Sequence, residues 1–338
     1  MMEGNYWIGI DISKRQLDWQ VNELQNKPLA AGNVQNSPCG ITKLLDQWSR
    51  RGICLEETII CFEHTGPYGL LLATMLEEAG VRYVMVAAAQ VQRSLGIRRG
   101  KSDPIDARRL AEYVWRFRDR LQPSRLSSKA LLELRGWLLW REKLIKMRTG
   151  LTNGIKANIL TSQVTDLGEI NDQMQACHDQ LTEQLKLVDR KIRGLLRRYN
   201  TTSGQYDLLV SIPGIGPVIA GWLLVYTEGF TRFAYARQLA CFTGSAPFPN
   251  QSGKIKNPDR VSEWRCVRLK TLLLNGVHSA IQYDPELRAY YQRKCEEGKH
   301  PKSVKNAVVC KLLYRVFAVI NRGTPYVKLY EHKTTTIA

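Results

Sequence analysis

Between Gly100 and Tyr113 the chain reads GKSDPIDARRLAEY, which sets Asp103 and Asp106 three residues apart beside a run of cations, Arg98, Arg99 and Lys101. Ser102 or Asp103 suits an N-cap and Pro104 the first turn, so the spacing predicts a helix with both carboxylates on one face at its N-terminal end. Two further acids stand at the ends of short apolar runs, Asp11 in YWIGIDI and Glu63 in TIICFE. Neighbouring strands that end in acids, facing a helix that carries two more, can place four carboxylates around a pair of divalent cations. Such a pair activates a nucleophile and stabilises a leaving oxygen at phosphorus. The adjacent arginines and lysine would draw in a phosphate backbone that the bare acids repel. The plainer reading of the same residues is a capped surface helix.

The elements that would position these acids follow an α/β pattern from Tyr6 to about Gln122. Tyr6–Ile12, Leu17–Val21 and Leu29–Val34 read as strands, Ile41–Trp48 as a helix, and Thr58–Glu63 as a buried strand. A helix over about Tyr68–Ala79, a strand Arg82–Val86 and the Asp103 helix complete the unit. Three strands in succession, then alternating helices and strands, predict a mixed sheet with helices on its faces.

From Ser127 to Tyr199 the pattern changes to two long helical stretches interrupted near Thr161–Gly168. In the second, Ile170, Met174, Cys177, Leu181, Leu185, Val188, Ile192 and Leu195 form one apolar stripe, the mark of a coiled-coil or bundle seam that packs within the chain or between subunits. The cations Lys186, Arg190, Lys191, Arg193, Arg197 and Arg198 on the same stretch suit a solvated or a phosphate-tracking face.

A third region begins near Leu208. SIPGIGP, Ser211–Pro217, between apolar helical segments has the helix-hairpin-helix pattern, in which glycines such as Gly214 and Gly216 let backbone approach a phosphate. After it come FTGSAPFPNQSGKIKN, read as a Gly-, Pro- and Ser-rich loop in which Lys254 and Lys256 are candidate backbone contacts, and a basic amphipathic helix around Arg265–Leu274. A frayed tail is expected after Gly323.

The chain of 338 residues carries 49 Lys and Arg against 31 Asp and Glu, a net charge of +18, which calls for a polyanionic partner, nucleic acid first. The N-terminus lacks the basic and long apolar regions of a signal peptide, and the prolines and glycines of Leu208–Tyr226 make that run a poor membrane span, so a cytoplasmic protein with no membrane partner is expected. Eight cysteines without a C-x-x-C pair, and five histidines without H-x-x-x-H spacing, argue against zinc. No G-x-x-x-x-G-K-[ST] loop for nucleotide triphosphate occurs.

Taken in order, IGIDISK, FEHTGPYG, KSDPIDARRLAEY, SIPGIGP and FTGSAPFPNQSG resemble the DEDD-type insertion-sequence transposases, whose members include RNA-guided bridge recombinases and Piv-like DNA invertases. His64, Pro67 and Ser102 depart from common family residues and leave the acids intact. The resemblance implies an RNase H-like (RuvC-like) α/β domain over 1–122, a helical coiled-coil oligomerisation region over 123–200, a mostly helical transposase domain over 201–323, and a tail, 324–338. It implies that Asp11, Glu63, Asp103 and Asp106 bind two Mg²⁺ ions, with Mn²⁺ as a substitute, and that a catalytic serine follows the F-x-G-x-x-P motif. That serine maps onto Ser252, with Ser245 and Ser262 as weaker alternatives. Ser252 would attack DNA phosphorus to give a phosphoserine-linked strand that a DNA hydroxyl resolves. Implied partners are double-stranded DNA at element ends and target, a non-coding guide RNA, and further copies of the chain in a dimer or a synaptic tetramer. Two other readings compete: a metal-dependent structure-specific nuclease that needs the four acids but not Ser252, and a non-catalytic nucleic-acid-binding protein.

Overall fold

The computed structural model describes residues 4–64, 66–96, 102–162, 164–252 and 255–327, and the chain divides into two compact units, Met1–Leu126 and Ser127–Ala338.

The first unit is built on a five-stranded mixed sheet. Strands β1 (Tyr6–Ile12), β2 (Gln16–Glu23) and β3 (Lys27–Gln35) form an antiparallel meander, and helix α1 (Pro38–Arg50) follows, capped by Ser37, whose hydroxyl accepts from the Gly40 N–H. The chain then enters β4 (Thr58–Glu63), crosses through α2 (Leu70–Glu78), and returns in β5 (Arg82–Val86), giving the order β3-β2-β1-β4-β5 with β1, β4 and β5 parallel. A short helix α3 (Ala88–Ser94) precedes α4 (Asp103–Arg116).

Alternation along the strands divides the core in two. Ile8, Ile10, Ile60 and Phe62 face α1 and α2, where Trp19 meets Trp48 edge to face with ring centroids 5.7 Å apart. Trp7, Ile59, Cys61 and Val84 lie on the other face with Leu110, Tyr113 and Val114 of α4. Burial on both faces explains why β4 reads as a buried strand.

The second unit opens with two long helices, α5 (Lys129–Thr161) and α6 (Gly168–Ser203). They run antiparallel, as Arg141 pairs with Asp189 at 2.6 Å, Arg198 with Glu133 at 2.8 Å, and Asn158 with Asn171 at 2.9 Å. Each spans roughly 50 Å. The predicted stripe is buried only from Leu185 onward; Ile170 and Cys177 are exposed, with Ile159, Leu160 and Val164 at the same end. Two helices alone cannot cover both flanks of a stripe, and only near the base does a further layer complete it.

That layer consists of α7 (Gln205–Val210), α8 (Pro217–Thr227), α9 (Ala236–Phe242), a hairpin of β6 (Pro247–Ser252) and β7 (Ile255–Val261), then α10 (Val267–Tyr283), α11 (Pro285–Glu296) and α12 (Pro301–Arg322). Leu138, Leu144, Ile192, Leu196, Trp222, Leu223, Leu273 and Leu313 belong to one continuous core. The expected division at residue 200 is therefore not a division of this core, and the first boundary falls at 126 rather than 122.

Two further expectations change. FTGSAPFPNQSGKIKN is not a loop throughout: its second half pairs as the β6–β7 hairpin, whose cross-strand bonds compensate for poor strand formers. The tail is tied down at its start. The Tyr326 N–H donates to Ser211 Oγ at 2.8 Å, its hydroxyl donates to Asp284 Oδ2 at 2.7 Å, and the Arg315 guanidinium lies 5.1 Å from its ring centroid. Among the described residues no helix is long and apolar enough to cross a membrane.

Candidate active site

The position of α4 depends on Gly9. A Cβ there would lie 2.0 Å from the Ala107 carbonyl oxygen and 2.2 Å from the Ala111 nitrogen, so only glycine lets the helix backbone rest on the centre of β1. Asp11 lies two residues farther along the same strand face, and Asp103 lies one turn before Ala107 along α4. Close packing of small residues thereby brings the N-terminal turn of α4, with Asp103 and Asp106, towards the Asp11 end of β1. Glu63 extends the alternation of Ile59 and Cys61, on the α4 face of neighbouring β4, one step beyond the last register pair, Ile10 with Phe62.

Electrostatics record this gathering. The Asp11 carboxyl is pushed up to about 6, first by burial, then by the charges of Asp103 and Asp106, with a smaller push from Asp18 and an opposing hydrogen bond from the Ile12 backbone. Asp18 is the residue that sequence reasoning missed: 3% exposed, it stands directly opposite Asp11 in the β1–β2 ladder and accepts from Gln16 Nε2 at 2.9 Å. An acid inside the otherwise strand-like LDWQV is the signal that marks it. Asp106 also pairs with Arg109 at 2.9 Å.

Hard carboxylate oxygens gathered in this way fit a divalent cation such as Mg²⁺ in donor chemistry. Their spacing is open: among the described residues no three His, Cys, Asp or Glu side chains converge closely enough to enclose an ion.

The cations expected beside this cluster, Arg98, Arg99 and Lys101, lie outside the described residues, as do Lys254 and the side chains of Ser252 and Lys256. Ser252 ends β6 and pairs with Ile255, five residues beyond the foot of the hairpin, where Pro247 pairs with Val261. The two alternative serines have local structural roles. Ser245 is buried with its hydroxyl 3.0 Å from that of Thr243, and Ser262 Oγ accepts from the Trp264 N–H at 3.1 Å.

The glycines of SIPGIGP differ in purpose. Gly214 has φ +94°, and a Cβ on it would meet the Gly276 carbonyl oxygen of α10 at 2.6 Å, so packing within the protein accounts for this glycine. Gly216 is the N-cap of α8 in extended geometry, φ −86° and ψ 176°, and a Cβ there would meet nothing within 4 Å. Of the two, it is Gly216 that leaves room for a phosphate. On α6, Arg190, Arg193 and Arg197 are exposed, whereas Lys186 pairs with Glu183 at 2.7 Å and Lys191 with Glu133 at 3.7 Å.

Comparison with known proteins accords with this arrangement. The model for DEDD transposases of the IS110 type, described as Transposase, matches residues 8–163, and the model described as Transposase IS116/IS110/IS902 family matches residues 206–292. The 42 kDa protein of insertion element IS900 from Mycobacterium paratuberculosis is 24% identical, with 98% of each chain covered. The pilin gene-inverting protein of Moraxella lacunata is 29% identical over 70% of each chain, and a transposase-named protein of Sinorhizobium fredii is 30% identical over 34% of this chain and 30% of its own. The first model takes in Asp11, Glu63, Asp103 and Asp106, the second SIPGIGP and the hairpin, and together they place the chain in the IS110 family of DNA transposases, enzymes of DNA recombination.

Proposed function

We propose that this transposase cleaves and exchanges DNA strands of an insertion element with two sets of groups, the carboxylates Asp11, Glu63, Asp103 and Asp106 and the hydroxyl of Ser252. The observation that carries the reading is the packing of α4 on Gly9, which brings Asp103 and Asp106 towards an Asp11 carboxyl whose pKa is raised first by burial and then by their charges. The sheet order, with an acid on its central strand and α4 across one face, supports an RNase H-like domain.

The four carboxylates would hold Mg²⁺, which when bound supplies Lewis-acid stabilisation of charge on phosphate oxygens. Ser252 Oγ forms a bond to phosphorus as the bond to a DNA oxygen breaks, and the serine proton passes to that freed oxygen, which leaves as a DNA hydroxyl. Attack by another DNA hydroxyl reverses the exchange on a new strand, so the number of phosphodiester bonds is conserved and no ATP is needed. Gly216 and the exposed arginines of α6 contact the backbone without reading sequence. Target choice then comes from elsewhere, and a non-coding guide RNA that pairs with donor and target supplies it. The apolar residues exposed at the far end of the α5–α6 hairpin support a contact between subunits.

In a cleavage assay with Mg²⁺ and element-end DNA, wild-type protein should form a denaturation-resistant protein–DNA adduct. Ser252→Ala should abolish the adduct, and Asp103→Asn should abolish adduct and cleavage while DNA binding persists. Cleavage by wild type with no adduct would replace the recombinase reading with a nuclease one. Sequencing RNA that co-purifies with the protein tests the guide: a discrete species from the element's flank is expected.

A further inference from the structure

At the foot of the β6–β7 hairpin, where Pro247 pairs with Val261, the second unit opens into a cavity of about 640 Å³ whose other walls come from α11 and α12. Its chemistry is that of a site for a flat, hydrogen-bonding ligand. Tyr290 and Tyr314 supply aromatic surface, the first half-buried and the second 48% exposed. Lys311 Nζ lies over the Tyr290 ring, 4.6 Å from its centroid, and the Arg293 guanidinium lies 5.8 Å from the same centroid, so cations already engage that ring and Tyr314 is the platform at hand.

Asn306 adds a specific polar group. Its Nδ2 donates to the Ser245 carbonyl oxygen at 2.9 Å, which fixes the amide, while its Oδ1 is buried without a hydrogen-bond partner. A fixed acceptor withdrawn from water is costly unless a ligand donates to it. Arg315, in the same wall, is already committed to Asp284 at 2.5 Å and Glu286 at 2.6 Å. The groups at hand are thus an acceptor, an aromatic surface and one lysine.

We infer that this cavity takes a single unpaired nucleobase of the DNA that the transposase handles. A base supplies a flat face for Tyr314, with Tyr290 at its edge, and an amino or ring N–H for Asn306 Oδ1, and the phosphate attached to it suits Lys311. A volume of about 640 Å³ is in the range of small-ligand sites, which run roughly 300–1,000 Å³, and cannot admit a duplex. Bases stacked inside a duplex do not offer their faces, so the ligand is a nucleotide already out of the stack. The tip of the hairpin, at Ser252, lies five residues from the cavity, roughly 17 Å along an extended strand. A base held at the foot would thus anchor the strand one hairpin length from the tip. The inference rests on DNA handling and stands whether or not Ser252 is the nucleophile.

The test measures binding, not cleavage, with the full chain and duplexes that carry one extrahelical thymidine or one abasic residue at the same place. Wild type should bind the base-containing bulge about tenfold more tightly. Tyr314→Ala should equalise the two while leaving affinity for the fully paired duplex unchanged, and Tyr314→Phe should keep the preference. Photocrosslinking wild type to a bulged 5-bromodeoxyuridine should map to Tyr290 or Tyr314, a readout that needs no variant to fold. Equal binding of the two bulges by wild type, or crosslinks confined to other segments, would overturn the proposal. A Tyr314-dependent preference seen with an RNA bulge and not with DNA would overturn the assignment to DNA and give the cavity to RNA.

Discussion

Asp11 holds its proton to a pH near 6 because burial and the charges of Asp103, Asp106 and Asp18 all penalise its ionised form. An unfolded chain has no such penalty, and there the carboxyl ionises near 4. Between about pH 4 and 6 the folded state therefore binds more protons than the unfolded one, so the metal-free protein loses stability as pH rises through that window and stays low above it. Asp11→Asn removes the ionisation. The variant should melt higher than wild type at pH 8 without metal and within experimental error of it at pH 4. Mg²⁺ should raise the Tm of wild type at pH 8 and raise that of the variant less. Thermal melts at the two pH values check this, and a wild-type Tm indifferent to Mg²⁺ would count against the carboxylates as its ligands. At this scale the sequence was legible in the approach of Asp103 and Asp106 to Asp11, because a strand end and a helix start are both marked by residue type. It was not legible where a residue matters by what it lacks, as Gly9 does, or by its cross-strand neighbour, as Asp18 does.

Helix α8 separates two roles that the SIPGIGP motif merges. Gly214 sits in a left-handed conformation against α10, so Gly214→Ala should cost roughly 1–3 kcal/mol in denaturant unfolding through overpacking alone, with strain in addition. Gly216 has N-cap geometry and open space. Gly216→Asp gives α8 a capping carboxylate and should leave stability unchanged or slightly raised, while the new charge weakens binding to unrelated duplexes severalfold. Unfolding curves and duplex titrations, run on the same samples, separate the two outcomes; unchanged duplex affinity in the aspartate variant would remove this helix end from the interface. Element boundaries were legible where burial is simple. Strands β4 and β5 match their expected bounds because apolar residues fill their interiors and polar ones mark their ends, Thr58 and Glu63 on β4 and Arg82 on β5. The β6–β7 hairpin was not legible, because PFPNQS carries little strand propensity and owes its conformation to its partner.

For the whole molecule, the carboxylates belong to one compact unit and Ser252 to the other. Recombination has to cut and exchange strands of two duplexes, which calls for several sites held in a symmetric assembly. Mixing an Asp103→Asn protein with a Ser252→Ala protein should therefore restore part of the activity that each lacks alone, since some mixed assemblies pair an intact acid unit with an intact serine unit. Strand-exchange assays on mixtures shown to contain mixed oligomers check this, and activity no greater than the sum of the parts would indicate a site built within one chain. The change from α/β pattern to helical periodicity falls near the point where the two compact units meet in the chain, at residue 126. The shared core of the long helices and the later ones was not legible, because periodicity reports that a face is apolar and not what covers it.

Tyr326 joins two places far apart in the chain, Asp284 by its hydroxyl and Ser211, 115 positions earlier, by its backbone N–H. Ser211 opens the SIPGIGP motif, so the segment that precedes α8 receives one of its hydrogen bonds from residues that leave the ribosome after α12. Domains are assembled from the N-terminus as synthesis proceeds. The carboxylate unit can thus fold while translation continues, whereas the second unit reaches its final bonding only after residue 326 has emerged. A nascent chain completes its acid-bearing unit well before the second one, and a chain broken between α12 and this tyrosine keeps every described helix but lacks both of these bonds.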